Sequence, residues 1–290
     1  MSIERIGYIY KIRELRQSYL NNRTRLPELK PDTFEKSADI TENERIVNDL
    51  FGKGNLELEY KKMTKHLGLI HPPKLYTDMS VLNLSDDYGG GYNFAKNIIA
   101  MNPNEYKGKL YKVCIVKDGK EKVMIAPDTK MPVIAQKSEL KGIEKKFPGM
   151  KIVKREATKE DLKKLFTQKL MHETIHAQQH ELMARTETIG AEKVILNKGI
   201  ALYKNLTPEQ KTRRQVIREN IYKNSCWSKY TDVENTIKRD SSDGVYAFLL
   251  SIANEEYTNN PDNPEYYSNL MEREAYERSY QYVTETMGEY

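Results

Sequence analysis

The chain has 290 residues, and its 47 basic and 42 acidic side chains are interspersed for a net charge of +5. That length suits one large domain or two small ones, and a mean hydropathy of −0.76 is polar for a globular protein. Apolar clusters recur along the chain, which excludes a disordered composition, and the basic surplus is too small to mark a nucleic-acid footprint.

Two distant cysteines, Cys114 and Cys226, do not make a disulfide framework and fit reduced thiols in a cytoplasmic protein. The N-terminal stretch "MSIERIGYIYKIRELRQSYL" carries charges throughout and has no apolar signal region. No apolar run is long enough for a transmembrane helix, so no membrane partner is expected. A cytoplasmic location is the expectation; export by a non-classical route is compatible with the same N-terminus.

In chain order, Ile3, Ile6, Ile9, Ile12 and Leu15 recur about one helical turn apart and predict an amphipathic helix. The segment "TRLPELKPDT" holds two prolines and reads as a linker, and residues 42–67 read as helical again. "PPKLYTDMSVLNL" is strand-like. "DDYGGGYNFAKNIIAMNPN" reads as a glycine turn cluster and then a strand pair, its second member at about 96–101, ended by Asn-Pro. "KLYKVCIVKDGKEKVMIA" is the clearest hairpin, its β-rich runs flanking the turn pair Asp118-Gly119.

The character changes at Thr158. In "TKEDLKKLFTQKLMHETIHAQQHELMA", Thr158 reads as an N-cap with Glu160 and Asp161 in the first turn, and Leu162, Leu165, Phe166 and Leu170 form an apolar stripe. The remainder reads as several helices, with breaks near 205–207, 240–243 and 259–263. There is no internal repeat and no low-complexity tract.

Three of the five histidines, His172, His176 and His180, stand four residues apart in "LMHETIHAQQH". On a helix His172 and His176 share a face one turn apart, so both imidazoles reach one Zn²⁺ with bonds of roughly 2 Å. Glu173 lies about 100° around the axis, beside the two ligands and not between them. This is the HExxH arrangement: two metal ligands and a carboxylate placed as general base for a water whose pKa the zinc lowers.

His180 would have to span about 12 Å of helix rise from His172 to reach the same ion. It is expected as a polar neighbour of the site. The metzincin solution places a glycine and then a histidine downstream, where this chain has Gln179 and Leu182. His66 and His71 are expected to be structural.

The third ligand must come from elsewhere, and "NLMEREAYERSYQYV" is the place where a resemblance becomes specific. HExxH followed by a helix bearing ExxA resembles the gluzincin branch of zinc metallopeptidases, most of all the minigluzincin and ImmA/IrrE-like domains. The matching residues are His172, Glu173 and His176, then Glu272 with Ala275 and Tyr276. "GGGYNFAKNIIAMNP" resembles the glycine-led hairpin that precedes the active-site helix in those domains. The resemblance covers residues 56–183 and 262–285 and implies Glu272 as the third zinc ligand. Glu274 and acids of other helices, Asp243, Glu255 and Glu256, are the alternatives.

This chain departs from the pattern in three ways. A hairpin-containing segment near 102–157 stands before the motif helix. Ninety-six residues separate His176 from Glu272, and Tyr276 stands where many relatives carry an acid, leaving the outer support of the histidine ligands unassigned.

The expected fold is α+β and zincin-like: a small, partly antiparallel sheet packed on the HExxH helix, with a helical C-terminal half supplying the third ligand. The expected domains are an N-terminal helical extension, 1–55, and a metallopeptidase domain, 56–290, with the hairpin insertion near 102–157. The expected function is zinc-dependent hydrolysis of a peptide or protein substrate, with Glu173 as base and His172, His176 and Glu272 as ligands. An extended substrate is expected to pair with residues 96–101 as an edge strand. The alternatives are a catalytically inert zincin scaffold used as a binding or structural module, and a basic helical nucleic-acid binder suggested by "EQKTRRQVIRENIYK". That run lacks aromatic interleaving and reads first as a solvated helix face, so a nucleic-acid partner is not expected.

Overall fold

The structure is a computed structural model and describes residues 42–84, 89–117, 119–140, 142–143, 152–185, 237, 241–255, 257 and 264–290. The expected helix at 3–20, the linker after it and the basic run at 209–223 lie outside the described residues. The chain divides after Asp39, and the described residues all belong to the second unit, Ile40–Tyr290. Within it the architecture is mixed α+β, with small sheets and a helical C-terminal half.

Helices α1 (Glu42–Phe51) and α2 (Lys53–His66) occupy the stretch read as helical. Their apolar side chains Ile46, Val47, Leu50, Leu56 and Met63 are all buried in the main core. Gly52 separates them because a Cβ there would lie 2.8 Å from the carbonyl oxygen of Asn48. Helix α1 belongs to the same unit as the rest, whereas the sequence reading assigns residues 42–55 to the N-terminal extension.

The strand-like segment after α2 forms only a short strand, β1 (Lys74–Tyr76). The Asp78 carboxylate accepts from the Ser80 N–H at 2.9 Å and starts a 3-10 turn over Met79–Leu82 instead of a longer strand. Next come β2 (Gly90–Asn93) and β3 (Ile98–Met101), an antiparallel pair as read from the sequence.

Two features of this sheet correct the sequence reading. Gly90 and Gly91 lie in β2, paired with Met101 and Ala100, and not in a turn; a Cβ on Gly90 would stand 2.9 Å from the Met101 sulfur. The sheet order is β1-β3-β2, so β3 is central, paired with β1 on one side and β2 on the other. Its backbone groups are committed to both neighbours, and residues 96–101 are therefore not an edge that receives a substrate. The apolar run Ile98–Met101 is buried on both faces, as a central strand requires.

The expected hairpin is β4 (Leu110–Lys117) with β5 (Lys120–Val123), Lys117 facing Lys120 across a two-residue link with Gly119 at φ 74°. The insertion is more than a hairpin. Strand β6 (Ile134–Gln136) continues the β5 side of β4, and β7 (Ile152–Glu156) covers the other side. Val113, Met124, Ala135 and Leu140 give this four-stranded sheet a small core of its own.

The longest element is α3 (Lys159–Arg185), about 40 Å of helix. Its start is a reciprocal cap. The Thr158 hydroxyl accepts from the Asp161 N–H at 3.2 Å, and Asp161 Oδ2 accepts from the Thr158 N–H at 2.8 Å. Lys112 of β4 binds both Asp161 oxygens, at 3.0 and 2.8 Å, tying the inserted sheet to this helix start.

Beyond the cap, α3 is buried on nearly every side. Leu162, Phe166, Leu170 and Ile175 are enclosed in the main core, and Met183 packs with Leu250, Ala253 and Met271. Those partners belong to α4 (Ser242–Glu255) and α6 (Leu270–Met287), which α5 (Pro264–Ser268) precedes. Asn269 caps α6 by accepting from the Met271 N–H at 2.9 Å, and its amide donates to the Ala253 carbonyl at 2.8 Å. Among the described residues no helix is long and apolar enough to cross a membrane.

Candidate metal centre

His172, Glu173 and His176 sit in the buried middle of α3, and Glu272 sits in the first turn of α6. Ala275, fully buried and without a side chain beyond Cβ, lets α6 approach α3 closely. The fold thus closes the 96-residue gap between the two motifs.

The Nε2 atoms of His172 and His176 face each other at 3.1 Å. Glu272 stands over the pair, with Oε2 3.3 Å from His172 Nε2 and Oε1 3.3 Å from His176 Nε2. These ligand atoms all lie within 4.8 Å of one another. The Glu272 carboxylate is 1% exposed, and its Oε2 has no hydrogen-bond donor. A buried carboxylate with an unpartnered oxygen, facing two ring nitrogens, is a site that positive charge stabilises. Two nitrogens and one oxygen at this spacing fit a divalent transition metal.

The electrostatics carry the same demand. Burial works against a charged His176, but attraction to Glu272 overcomes it and pushes the imidazole up to about 9. Burial likewise works against a charged Glu272, yet His176 first, then contacts with both imidazoles, hold its carboxyl far below the usual range. Burial raises the Glu173 carboxyl, Glu272 reinforces that, and His172, His176 and Lys169 oppose it.

Around these four residues stand Tyr276, already noted in the sequence beside Glu272, and groups for which the sequence reading named no role at the site. The Tyr257 hydroxyl donates to Glu272 Oε1 at 2.7 Å. Burial, then the Glu272 charge, hold that phenol well above its usual range, so it stays a neutral donor. The Tyr276 ring lies against His172, with centroids 4.2 Å apart, and Tyr267 and Tyr266 continue the aromatic wall. Gln179, noted in the sequence only as the residue that breaks a metzincin pattern, places Oε1 2.9 Å from His176 Nδ1. Its spacing held a usable signal: a side-chain acceptor three residues after a histidine ligand sits within reach of that ring. Tyr257 gave no such signal, because only the tertiary fold brings it to Glu272.

The remaining candidates are not in the group. Glu274 points away from Glu272, as the helix geometry predicts, and pairs with Arg278 at 2.8 Å. It is not a solvated acid, however, since it also accepts from Gln179 at 2.9 Å and from Tyr246. Asp243 is exposed in the first turn of α4, while the Glu255 side chain and Glu256 lie outside the described residues.

His180 is buried with its ring stacked on Phe94 at 5.0 Å and near Tyr92 at 5.6 Å. Burial, with a smaller push from His176, lowers it to about 3 and keeps it neutral. His66 packs edge-on against Tyr282, and the His71 backbone N–H is held by Glu181 at 2.9 Å. Neither belongs to the His172–His176–Glu272 group.

Comparison of the chain with protein families, with curated proteins and with solved structures finds no match.

Proposed function

We propose that the protein is a zinc-dependent metallopeptidase of zincin-like architecture, hydrolysing a peptide or protein substrate. The observation that carries this reading is the convergence of His172, His176 and Glu272, with Glu173 beside them on the helix. Two imidazoles and one carboxylate would hold zinc and leave a further position open. When bound, zinc supplies Lewis acidity and makes water a competent nucleophile near neutral pH.

The chain's own residues do the rest. Glu173, one residue from His172 and held partly out of water, accepts the proton of the attacking water at its carboxylate and passes it to the leaving amine. Tyr257 has its hydroxyl hydrogen committed to Glu272, so Tyr276, a neutral hydroxyl whose ring lies against His172, is the donor available to the oxygen that gains charge as the carbonyl is attacked. An extended peptide would pair with β2 instead of β3, since β2 ends the sheet order and runs beside α3.

An inert scaffold with the same three ligands is the second reading; the presence of Glu173 favours the enzyme, because a scaffold has no use for the base. The deciding experiment is metal analysis of protein purified without added zinc, together with peptide hydrolysis by the wild type and by Glu173→Gln. Zinc in both, with hydrolysis in the wild type alone, is the expected result. Absence of bound metal in the wild type, even after zinc is supplied, would sink the metal reading. Bound zinc without hydrolysis across a broad peptide library would favour the scaffold.

A further inference from the structure

We propose that Gln179 is the positioning residue of this centre, fixing the His176 ring, and that Glu274, once a rival for the ligand role, is the anchor that orients Gln179. This deepens the metal reading and rests on it.

The orientation of the Gln179 amide follows from its partners. Its Nε2 lies 3.1 Å from the Met271 carbonyl and 2.9 Å from Glu274 Oε2, two groups that only accept. The NH₂ end must therefore face them, and Oε1 must face His176 Nδ1, 2.9 Å away. An amide oxygen only accepts, so Nδ1 carries the hydrogen. That leaves Nε2, which faces His172 and Glu272, as the nitrogen that would give up its hydrogen and offer a lone pair to a metal.

Gln179 is fully buried, so no water replaces a lost partner. Glu274 is itself gripped from two helices. Tyr246 of α4 donates to Oε2, and Arg278 of α6 donates to Oε1 at 2.8 Å. Arg278 also donates to Gln178 Oε1 at 2.7 Å, and Gln178 donates to the Leu67 carbonyl at 2.5 Å. The orientation of one imidazole is thereby tied to α3, α4, α6 and the end of α2 together. Among the described residues His172 has no equivalent, since its buried Nδ1 finds no hydrogen-bond partner there. The two histidines are supported asymmetrically, and the direct contact of the Gln179 network is with His176.

The test is zinc affinity of the purified, metal-stripped full chain, measured by competition with a chromophoric chelator. The variants are Gln179→Leu, Gln179→Glu and the exchange that combines Gln179→Glu with Glu274→Gln, with thermal unfolding recorded for each. Gln179→Leu is expected to bind zinc about 10–100-fold more weakly than wild type, the usual scale for a lost outer partner of a ligand. Gln179→Glu alone sets two carboxylates against each other and is expected to bind weakly as well.

The exchange restores two of the three Gln179 contacts, one of them in reverse: the carboxylate introduced at position 179 accepts from His176 Nδ1–H and from the amide introduced at position 274, while the Met271 carbonyl loses its donor. Part of the affinity lost in Gln179→Glu should return, which a loss of packing alone would not produce. If Gln179→Leu does not fold, the comparison of Gln179→Glu with the exchange decides by itself. Wild-type affinity in Gln179→Leu, or no recovery in the exchange relative to Gln179→Glu, overturns the proposal. A wild type that binds no zinc in the same titration overturns the metal reading and this inference with it.

Discussion

Tyr257 donates to Oε1 of Glu272 at 2.7 Å, and this single hydrogen bond leaves Oε2 of the same carboxylate turned toward His172 with no donor of its own. One oxygen is held and the other is presented, an arrangement suited to binding a cation through one atom. Glu272→Ala is expected to weaken zinc binding by more than about 100-fold and to abolish hydrolysis. Tyr257→Phe keeps the ring and removes the donor, so a smaller loss of about 10-fold is expected, on the scale of an outer partner. Chelator competition on the two variants checks the order; a larger effect from Tyr257→Phe than from Glu272→Ala would reverse the roles.

The facing Nε2 atoms of His172 and His176 are expected to share one bound zinc per chain. Alanine at either position should lower the zinc content of purified protein sharply, and alanine at both should remove it. Elemental analysis against protein concentration is the measurement. Full occupancy in the double variant would place the metal elsewhere.

Glu173 is expected to act in the chemistry and not in holding the metal. Glu173→Gln should keep its zinc, while hydrolysis of a responsive peptide should fall by roughly 10²–10⁴-fold. The two quantities are read on one preparation, and unchanged turnover would remove Glu173 from the role of base.

Glu274→Ala is expected to fall between these extremes. From the sequence alone a mild effect is expected, because a carboxylate on the far side of α6 reads as solvated. In the fold it accepts from Gln179, Tyr246 and Arg278, so its loss leaves the buried Gln179 amide without one of its acceptors. About 10-fold weaker zinc binding is expected by the same titration, with wild-type affinity the outcome against it.

Stability should depend on pH through Asp161. Partial burial opposes its charge, but Lys112 and the Thr158 hydroxyl and N–H outweigh that and lower its carboxyl below the usual value. A carboxyl depressed in the folded state stabilises fully above its unfolded pKa, near 4, and that contribution is lost as pH falls through the folded value. Asp161→Asn should therefore lower the melting temperature at pH 6 by about 2–4 °C, for a lost cap of about 1 kcal/mol. The gap between variant and wild type should shrink below about pH 4. A gap that stays constant across that range would mean the charge is not what stabilises the helix start.

Local patterns were legible in the sequence where neighbours along the chain fix the outcome. The Thr158 cap, the hairpin over Gly119 and the shared face of His172 and His176 depend on residues within one or two turns, so spacing suffices to read them. The place of Glu173 beside the histidines follows from helix geometry in the same way. A helix period also told that Glu272 and Glu274 point in different directions, but not which of them meets the imidazoles.

That choice belongs to the tertiary structure, because it depends on burying Met271 and Ala275 against a helix about 100 residues away. The same holds for Tyr257 on Glu272, for β3 as a central strand and for the second sheet built from the inserted segment. Each rests on contacts between distant parts of the chain, and such pairings leave no periodic mark in either partner. The sequence by itself determined which side chains have the chemistry to ligate a metal if they converge. Only the fold decided which carboxylate meets the imidazoles and what holds it there, since a buried charge is tolerated only where distant donors and cations converge on it.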